Sequence, residues 1–439
     1  MLKSKEYLEN LAQKCIDKCK ELGATDVEIV LSNAISESLN SRNKKIEHSE
    51  RSEILSLGLT TYINKKKSNV SSSNLNKENL FALIERCIEC TKVSPEDQYV
   101  GLPDKKIMQN KFENLELYDE KKLSNNFKKE FLKTVEEEMF KNKKIKNSNG
   151  SSFSESKSNF IYANSNGFCN GYKTSSYSVF CEALAEENGS MERDYEVSIS
   201  RFFEDMDKPD FIGKSAAERA IKRLGARKIK SEKLPVIFDK RISKSLLSTF
   251  ASAVSASNFV RKVSFLKDSK NKKIFNDKIN IIDNPSIKRG LGSQLFDGEG
   301  VASNNLVIVK KGVLTEIFLD NYNSKILKTQ TNGRCGGPTN LFIENGEYKI
   351  EKMISDQKKA LFVTELIGRA GDITNGNYSV GASGLMIENG EIVYPVNEIT
   401  LAGDLKDIFL NLIPANNLEM KYSTNSPALL IEQMMIAGK

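Results

Sequence analysis

Four glycines, one arginine and two carboxylates fall within residues 289–300, which read Arg-Gly-Leu-Gly-Ser-Gln-Leu-Phe-Asp-Gly-Glu-Gly. Glycine loses more backbone entropy on folding than other residues, so such a cluster indicates positive φ angles or the close approach of another chain. The segment leads into an apolar stretch over 306–309 that is typical of a strand. A loop of this kind can bind a peptide or ligand through its backbone, and a plain surface loop is the alternative that composition alone favours.

Acidic side chains in this loop and one thiol further along the chain are the candidates for chemistry. Asp297 and Glu299 share one face of an extended segment because they are two residues apart, although no partner group is evident. Cys335, in Gly-Arg-Cys-Gly-Gly-Pro, is the best candidate for a lone nucleophile, and the adjacent Arg334 could lower the pKa of its thiol. Because no base accompanies it, an incidental or buried thiol is the favoured interpretation.

The single histidine restricts the chemistry further. A catalytic zinc site usually has three protein ligands, mostly histidines, and this chain cannot supply two of them. A Ser-His-Asp or Cys-His site would have to use His48, which lies in a charged, turn-like segment far from the glycine-rich loops. We therefore expect His48 to be exposed in a hairpin turn.

Cysteine usage and charge indicate the compartment and the class of partner. Seven cysteines in a long chain argue against a disulfide framework and favour a reducing compartment. The N-terminal residues lack the apolar core of a signal peptide, and no apolar run approaches the ~20 residues of a membrane span. We therefore expect a cytoplasmic protein that does not associate with a membrane. The net charge of +7 comes with lysine–asparagine runs that indicate a solvated surface, so nucleic acid is not an expected partner.

Hydrophobic periodicity places these residues on an α+β framework. Helical spacing predicts helices over 3–22, 76–91, 124–142, 211–224, 240–257 and 404–412. Short alternating segments over 26–73 predict an antiparallel meander, and residues 150–200 are rich in strand patterns. Lys310-Lys311-Gly312, Asn345-Gly346 and Asn389-Gly390 each predict a hairpin.

The fold class that follows is α+β, with an N-terminal meander region and a C-terminal domain of mostly antiparallel or mixed sheet with a few helices. At 439 residues the chain is too long for one ordinary core. We divide it into an N-terminal α+β segment (1–110), a middle α+β segment (111–230) and a β-rich C-terminal domain (231–439).

The motifs resemble the signature of the TldD/PmbA family, whose members were formerly called modulators of DNA gyrase. The resemblance covers essentially the whole chain and is strongest after residue 180. Its motifs in this sequence lie at 185–195, 238–241, 261–266, 289–301, 318–322, 333–337, 402–407 and 435–438.

Two branches of the family differ in their metal ligands. TldD-like members carry His-Glu-x-x-x-His on a helix, a cysteine near the C-terminus and a catalytic metal, whereas PmbA-like members, also called TldE, lack these ligands. The equivalent helix here reads Ser-Leu-Leu-Ser-Thr-Phe-Ala-Ser-Ala-Val over 245–254, and no cysteine follows Cys335. The resemblance therefore implies the PmbA/TldE branch, which forms a heterodimeric peptidase with a TldD-like partner that degrades unfolded peptides and trims modified precursors.

By this resemblance the chain binds no metal itself, and its partner holds a divalent metal, with zinc as the expected ion. The chain would complete the peptide channel, and no catalytic residue is assigned to it. Two alternatives remain open, namely an interaction protein that acts on gyrase or DNA and a self-sufficient hydrolase that uses Cys335. The residues expected at the channel or the partner interface are Arg289, Asp297, Gly298, Glu299, Gly300, Gly333, Gly336 and Gly337.

Overall fold

The computed structural model describes residues 2–108, 112–368 and 370–439, and it shows the expected mixture of helices and antiparallel or mixed sheets. The helices are α1 (Lys5–Glu21), α2 (Lys77–Val93), α3 (Asn125–Met139), α4 (Pro209–Lys222), α5 (Lys240–Ala253), α6 (Ala256–Val260), α7 (Asn321–Ile326), α8 (Ile350–Ser355) and α9 (Leu405–Leu410). The strands are β1 (Asp26–Arg42), β2 (Lys45–Ile63), β3 (Lys66–Ser72), β4 (Ile145–Asn164), β5 (Cys169–Glu187), β6 (Ser190–Ser200), β7 (Glu232–Phe238), β8 (Ile281–Asp283), β9 (Leu306–Lys310), β10 (Val313–Leu314), β11 (Leu341–Ile343), β12 (Lys359–Ile367), β13 (Asn377–Glu388), β14 (Glu391–Asp404), β15 (Leu412–Pro414), β16 (Thr424–Asn425) and β17 (Leu429–Ala437).

The first sheet is antiparallel throughout, in the order β3-β2-β1-β4-β5-β6. Alternation along β1 buries Val27, Ile29, Leu31 and Leu39 on one face. The first three of these pack with α1 and α2, and Leu39 packs in the core that includes α3 and α4. The opposite face of this sheet receives Phe296 from the glycine-rich segment.

Two further sheets form the C-terminal region. One has the order β10-β9-β8-β11-β16, and the other has the order β14-β13-β12-β7-β17-β15. An additional pairing between β14 and β17 closes five strands of the latter into a ring. The buried face of α5 contributes Leu246, Leu247 and Phe250 to a single core that includes residues of both sheets. The exposed face of α5 is therefore held in a fixed position.

Most predicted elements are confirmed. The helices at the N-terminus, after Asn76, after Ser124 and before Gly225 all form, and the side-chain oxygens of Asn76 and Ser124 cap the helices that follow them. The predicted helix over 240–257 is divided into α5 and α6. Hairpins form at Lys311-Gly312 and at Asn389-Gly390.

Three predictions about local structure were wrong. His48 is exposed but lies within β2 opposite Asn40, because the turn forms earlier, where Asn43 and Lys44 adopt positive φ angles of 51° and 62°. Asn345-Gly346 makes no hairpin, since β11 leads into α8. The short strands predicted within residues 26–73 are parts of longer strands in the structure. β1 continues through its polar segment because its backbone pairs with β2 on one side and β4 on the other.

The proposed division of the chain remains a prediction. Its first boundary, at residues 110 and 111, lies outside the described residues, and its second falls between α4 and β7. Within the described ranges, none of the helices is long and apolar enough to cross a membrane.

Close contact between α3 and α4 depends on Gly213. A Cβ atom at this position would lie 2.0 Å from the carbonyl oxygen of Val135. We expect Gly213→Ala to lower the stability of this helix pair by about 1–3 kcal/mol, because the helices must separate to accept the methyl group. Urea denaturation measures the change, with Lys214→Ala on the exposed face of α4 as the matched control. Equal midpoints for the two variants would contradict this account.

Candidate functional site: two glycine-rich loops and the clefts beside helix α5

Asp297 joins the two glycine-rich loops. Its Oδ1 accepts hydrogen bonds from the backbone N–H groups of Glu299 and Val301, each at 2.9 Å, and its Oδ2 accepts one from Cys335 at 2.9 Å. The Gly298 N–H in turn donates to the Cys335 carbonyl oxygen at 3.1 Å. Burial raises the pKa of Asp297, while the three N–H donors oppose that rise. The carboxylate therefore fixes residues 297–301 against residue 335.

A buried ion pair holds the second loop from the other side. Arg334 and Asp283 are both fully buried, and the Arg334 Nε donates to Asp283 Oδ2. Two further carbonyl groups, of Gly333 and Asn304, accept from the same guanidinium at 3.0 and 2.6 Å. Asp283 also accepts from the Thr339 N–H at 2.7 Å. This network ties the loop to the end of β8.

Two further carboxyl groups, those of Glu28 and Glu299, lie where the first loop meets the first sheet. Tyr62 and Tyr162 donate their hydroxyl groups to the two oxygens of Glu28, at 2.5 and 2.8 Å. Glu299 accepts the backbone N–H of Asn321 at 2.9 Å. Burial, together with the nearby carboxylates of Asp297 and Glu28 among others, raises the pKa of Glu299 from 4.5 to about 8. Glu299 is therefore largely protonated at neutral pH.

The surroundings of Cys335 do not activate it. Burial raises the pKa of its thiol, and the carboxylates of Glu299 and Asp297 raise it further. Arg334 was expected to lower this pKa, but its guanidinium is engaged by Asp283 and by carbonyl groups. The expectation was wrong because the ion pair turns the positive charge away from the thiol, and a nucleophilic cysteine gains no support.

The glycines predicted for the channel differ in why glycine is required at each position. A Cβ atom on Gly300 (φ 77°) would lie 2.8 Å from the Tyr162 ring, and one on Gly333 (φ 70°) would lie 2.4 Å from the Ala302 carbonyl oxygen. Gly336 and Gly337 also have positive φ, but nothing lies within 4 Å of an added Cβ atom. The surface at these two residues is therefore open to another chain.

Arg289 is placed differently from the other predicted residues. It adopts a φ of 57°, and its guanidinium bonds to Glu116 at 2.8 Å and to Glu204 at 2.6 Å. The same group lies over the ring of Phe202, 4.0 Å from its centroid. Arg289 thus connects the glycine-rich loop to the linker before α3 and to the segment after β6.

Two clefts lie beside α5, and sequence reasoning missed them. The first has a volume of about 700 Å³ and lies between the end of the first sheet and the C-terminal region, with Glu196 and Arg219 on one side and Lys421 on the other. Of the predicted channel residues, Arg289 lines this cleft, and the other seven line neither cleft.

The second cleft, of about 680 Å³, lies directly over the polar face of α5. The signal for it was present in the sequence as five polar residues at intervals of three, one, three and one, which place them on one helical face. These residues of the second cleft are Arg241, Lys244, Ser245, Ser248 and Thr249.

This face does not fit a catalytic metal ion. Ammonium and guanidinium groups repel cations, and hydroxyl groups are poor ligands beside the imidazole and carboxylate groups that zinc prefers. Throughout the described residues, no three His, Cys, Asp or Glu side chains are grouped so as to hold a metal ion. His48, on β2, lies on the first sheet and not at either cleft.

Comparison with known proteins gives the family. Models described as domain 1, central domain and C-terminal domain of the PmbA/TldA metallopeptidases match residues 27–90, 118–224 and 231–438. The chain belongs to the PmbA/TldD family. A metalloprotease PmbA homolog from Buchnera aphidicola is 35% identical and covers 98% of this chain and 97% of its own length. The metalloprotease PmbA of Escherichia coli O157:H7 is 31% identical, with 99% and 98% covered.

Relatives of the other PmbA/TldD branch match less of the chain. Metalloprotease TldD homologs from Buchnera aphidicola and Haemophilus influenzae are 25% and 28% identical, and each match covers 58% of this chain and 60% of the relative. The similarity to PmbA proteins thus extends over the full length, whereas the similarity to TldD proteins does not.

Solved structures share the PmbA/TldD fold seen here. A crystal structure titled as a modulator of DNA gyrase, from Bacteroides thetaiotaomicron, superposes with a TM-score of 0.92 at 28% identity, covering 98% of this chain and 99% of that one. TldE from Thermococcus kodakarensis has the same fold, with a TM-score of 0.85 at 21% identity and 98% and 100% covered.

Replacement of Asp283 tests the buried ion pair. We expect Asp283→Asn to destabilise the protein by about 3–5 kcal/mol, because it leaves the Arg334 charge buried without its counter-ion. Thermal and urea unfolding measure the loss. The control is Glu116→Gln, which breaks a partly solvent-exposed ion pair with Arg289 and should change stability far less. A similar small effect for both variants would show that the buried pair does not hold the loop.

The raised pKa of Glu299 predicts a pH dependence of stability. Between pH 4.5 and about 8 the folded state binds more protons at this residue than the unfolded state, so stability falls as pH rises through this window. We expect Glu299→Gln to reduce that slope, whereas Glu351→Gln, on the exposed side of α8, should leave it unchanged. Chemical denaturation at several pH values measures the slope. An unaltered slope in Glu299→Gln would contradict the burial of this carboxyl group.

Proposed function

We propose that this chain is the subunit without the catalytic metal in a heterodimeric metallopeptidase that hydrolyses unfolded or modified peptides. Its TldD-like partner supplies the metal, expected to be zinc, which activates the attacking water. This chain completes the peptide channel and limits which peptides reach the metal. The enzyme acts in the cytoplasm, in keeping with seven cysteines that all remain free thiols.

One observation carries the proposal, namely the composition of the α5 face. By the family resemblance, this helix is where TldD-like proteins place His-Glu-x-x-x-His. Here the corresponding face presents Arg241, Lys244, Ser245, Ser248 and Thr249 to the second cleft, and these side chains cannot replace two imidazoles and a carboxylate. This chain therefore has a cleft beside the helix but no metal-binding side chains on that helical face, which is what a non-catalytic subunit requires.

The relatives support the pairing. This chain matches PmbA proteins over their full length, and it matches TldD homologs over a shorter region. Buchnera aphidicola has both a PmbA homolog and a TldD homolog, and so does Haemophilus influenzae. A family in which both branches occur in one organism is suited to a two-subunit enzyme.

Within this proposal the two glycine-rich loops form part of the channel wall or of the partner interface. Gly298 and Gly336 are exposed, and Gly336 and Gly337 have open space beside them, so the backbone of another chain can approach there. Asp297 and Glu299 fix these loops by accepting backbone N–H groups, and Gly300 and Gly333 allow them to pack closely against Tyr162 and Ala302. Arg289 serves the first cleft instead.

The test is peptide hydrolysis by this chain alone and by its mixture with a TldD-like protein from the same organism, each with and without a chelator. We expect hydrolysis only in the mixture, and its loss on chelation. Hydrolysis by this chain alone that survives chelation and disappears in Cys335→Ser would favour the cysteine hydrolase. Inactivity in every arm, together with DNA binding that weakens steeply with salt, would favour the interaction with gyrase or DNA that the name of the Bacteroides structure suggests.

A further inference from the structure

The basic residues that line the two clefts differ in whether they have a partner. Among the described residues, all but one of these cations bond to a carboxylate or to backbone carbonyl groups. Arg201 donates to the carbonyl groups of Gly290 and Leu291. The others form ion pairs, which are Arg219 with Glu196, Lys240 with Glu419, Arg241 with Asp194, Lys288 and Arg289 with Glu116, and Lys421 with Glu196 and Asp207.

Lys244 is the exception, and it lines both clefts. Its ammonium group has neither a carboxylate nor a hydrogen-bond acceptor among the described residues, and it lies over the Tyr422 ring, 3.1 Å from the centroid. Burial and, to a smaller extent, the charge of Lys421 together lower the pKa of Lys244 to about 8. The group is therefore a largely protonated, partly dehydrated cation that lacks an anion at neutral pH.

Ser245 adds a second unused donor beside it. Its hydroxyl oxygen is buried and has no hydrogen-bond partner among the described residues, although Ser245 lines the second cleft. The neighbouring hydroxyl groups differ, because Ser248 donates to the Lys244 carbonyl and Thr249 to the Ser245 carbonyl, each at 3.0 Å. A buried hydroxyl without a partner is unfavourable, so a ligand that satisfies it gains binding energy.

The carboxylates near this site are already occupied. Glu365, which also lines the second cleft, pairs with Arg223 at 2.6 Å. Asp194 pairs with Arg241 at 3.1 Å. Neither is bonded to the Lys244 ammonium group, which leaves the positive charge of Lys244 available to a ligand.

We propose that the second cleft binds a carboxylate group of the peptide substrate, held by the ammonium group of Lys244 and the hydroxyl group of Ser245. The two groups supply hydrogen-bond donors and one positive charge, and a carboxylate offers the matching acceptors and the matching charge. The inference rests on the proposed function, since it takes the ligand to be a peptide. It adds a specificity-determining role for this chain, in which substrates are selected by a carboxylate at the chain end or on an acidic side chain.

The experiment measures binding and does not depend on catalysis. Ala-Ala-Gln-Ala-Ala, labelled at its N-terminus with an uncharged BODIPY dye that has no carboxylate, is prepared as the free acid and as the C-terminal amide, and Ala-Ala-Glu-Ala-Ala with the same label is prepared as the amide. Fluorescence anisotropy gives the affinity of each for the full chain, alone and mixed with its TldD-like partner. We expect at least one carboxylate-bearing peptide to bind about tenfold more tightly than the neutral amide, equivalent to about 1.4 kcal/mol. The free acid and the glutamate peptide distinguish a chain-end carboxylate from a side-chain carboxylate.

Variants then assign the preference to the site. Lys244→Gln should abolish the preference while it keeps the affinity for the neutral amide, and Ser245→Ala should reduce the preference two- to fivefold. Lys240→Gln is the matched control, because Lys240 lies on the same helix but pairs with Glu419 and does not line the second cleft. A general loss of structure would weaken all three peptides equally, so the ratio of affinities separates recognition from folding.

Two results would overturn the inference. One is equal affinity of the wild-type chain for all three peptides, and the other is a preference that persists in Lys244→Gln. A mixture that binds carboxylate peptides selectively yet hydrolyses none would refute the proposed function and leave the site standing. A mixture that hydrolyses peptides but binds carboxylate and neutral peptides equally would support the proposed function and refute the carboxylate site.

Discussion

The buried pair of Arg334 and Asp283 is the constraint on which both glycine-rich loops depend. A charge removed from water is tolerated only where its counter-ion and hydrogen bonds are fixed, and this guanidinium also bonds to the carbonyl groups of Gly333 and Asn304. The pair determines where the Cys335 backbone lies, and Asp297 then accepts the N–H of that residue. The order of the first loop therefore follows from an interaction made by the second.

The same loop also links the N-terminal sheet to the C-terminal region. Phe296 packs between Phe168 and Tyr172, with ring centroids 5.3 and 5.6 Å away, on the face of the sheet that the helices do not cover. Gly300 lies against Tyr162, whose hydroxyl group donates to Glu28. Residues far apart in sequence are thus joined through one loop. A substitution there would alter the placement of the first sheet as well as the local surface.

Sequence reasoning could predict most of the elements and single out the two glycine-rich segments at 289–300 and 333–337, because periodicity and glycine clusters are local signals. It could not predict the length of β1, which depends on partners at both edges, nor the position of the turn before His48. It also expected Arg334 to lower the pKa of the Cys335 thiol, whereas Arg334 pairs with Asp283. The partner of that charge, Asp283, lies about fifty residues earlier in the chain, and no local pattern connects the two.

The clefts beside α5 were missed for a related reason. A cleft forms between surfaces that tertiary packing brings together. The walls of the second cleft come from β6, α5, the end of β12 and residues 422–424. The stripe of Lys244 and Ser245 on one helical face was visible in the sequence, but a polar stripe is also what any solvated helix has. Only the missing partners of these two groups distinguish this stripe, and partners cannot be assigned without coordinates.

The closed ring of strands has a consequence for the order in which the protein forms. β7 pairs with both β12 and β17, and β17 also pairs with β14. During synthesis, Phe238 leaves the ribosome long before Leu429, so β7 has one edge unpaired until translation reaches β17. An unpaired edge strand is a template for aggregation, and closure over so long a segment is slow. The N-terminal sheet can assemble as the chain emerges, whereas α5 and its clefts take their final form only after the ring has closed.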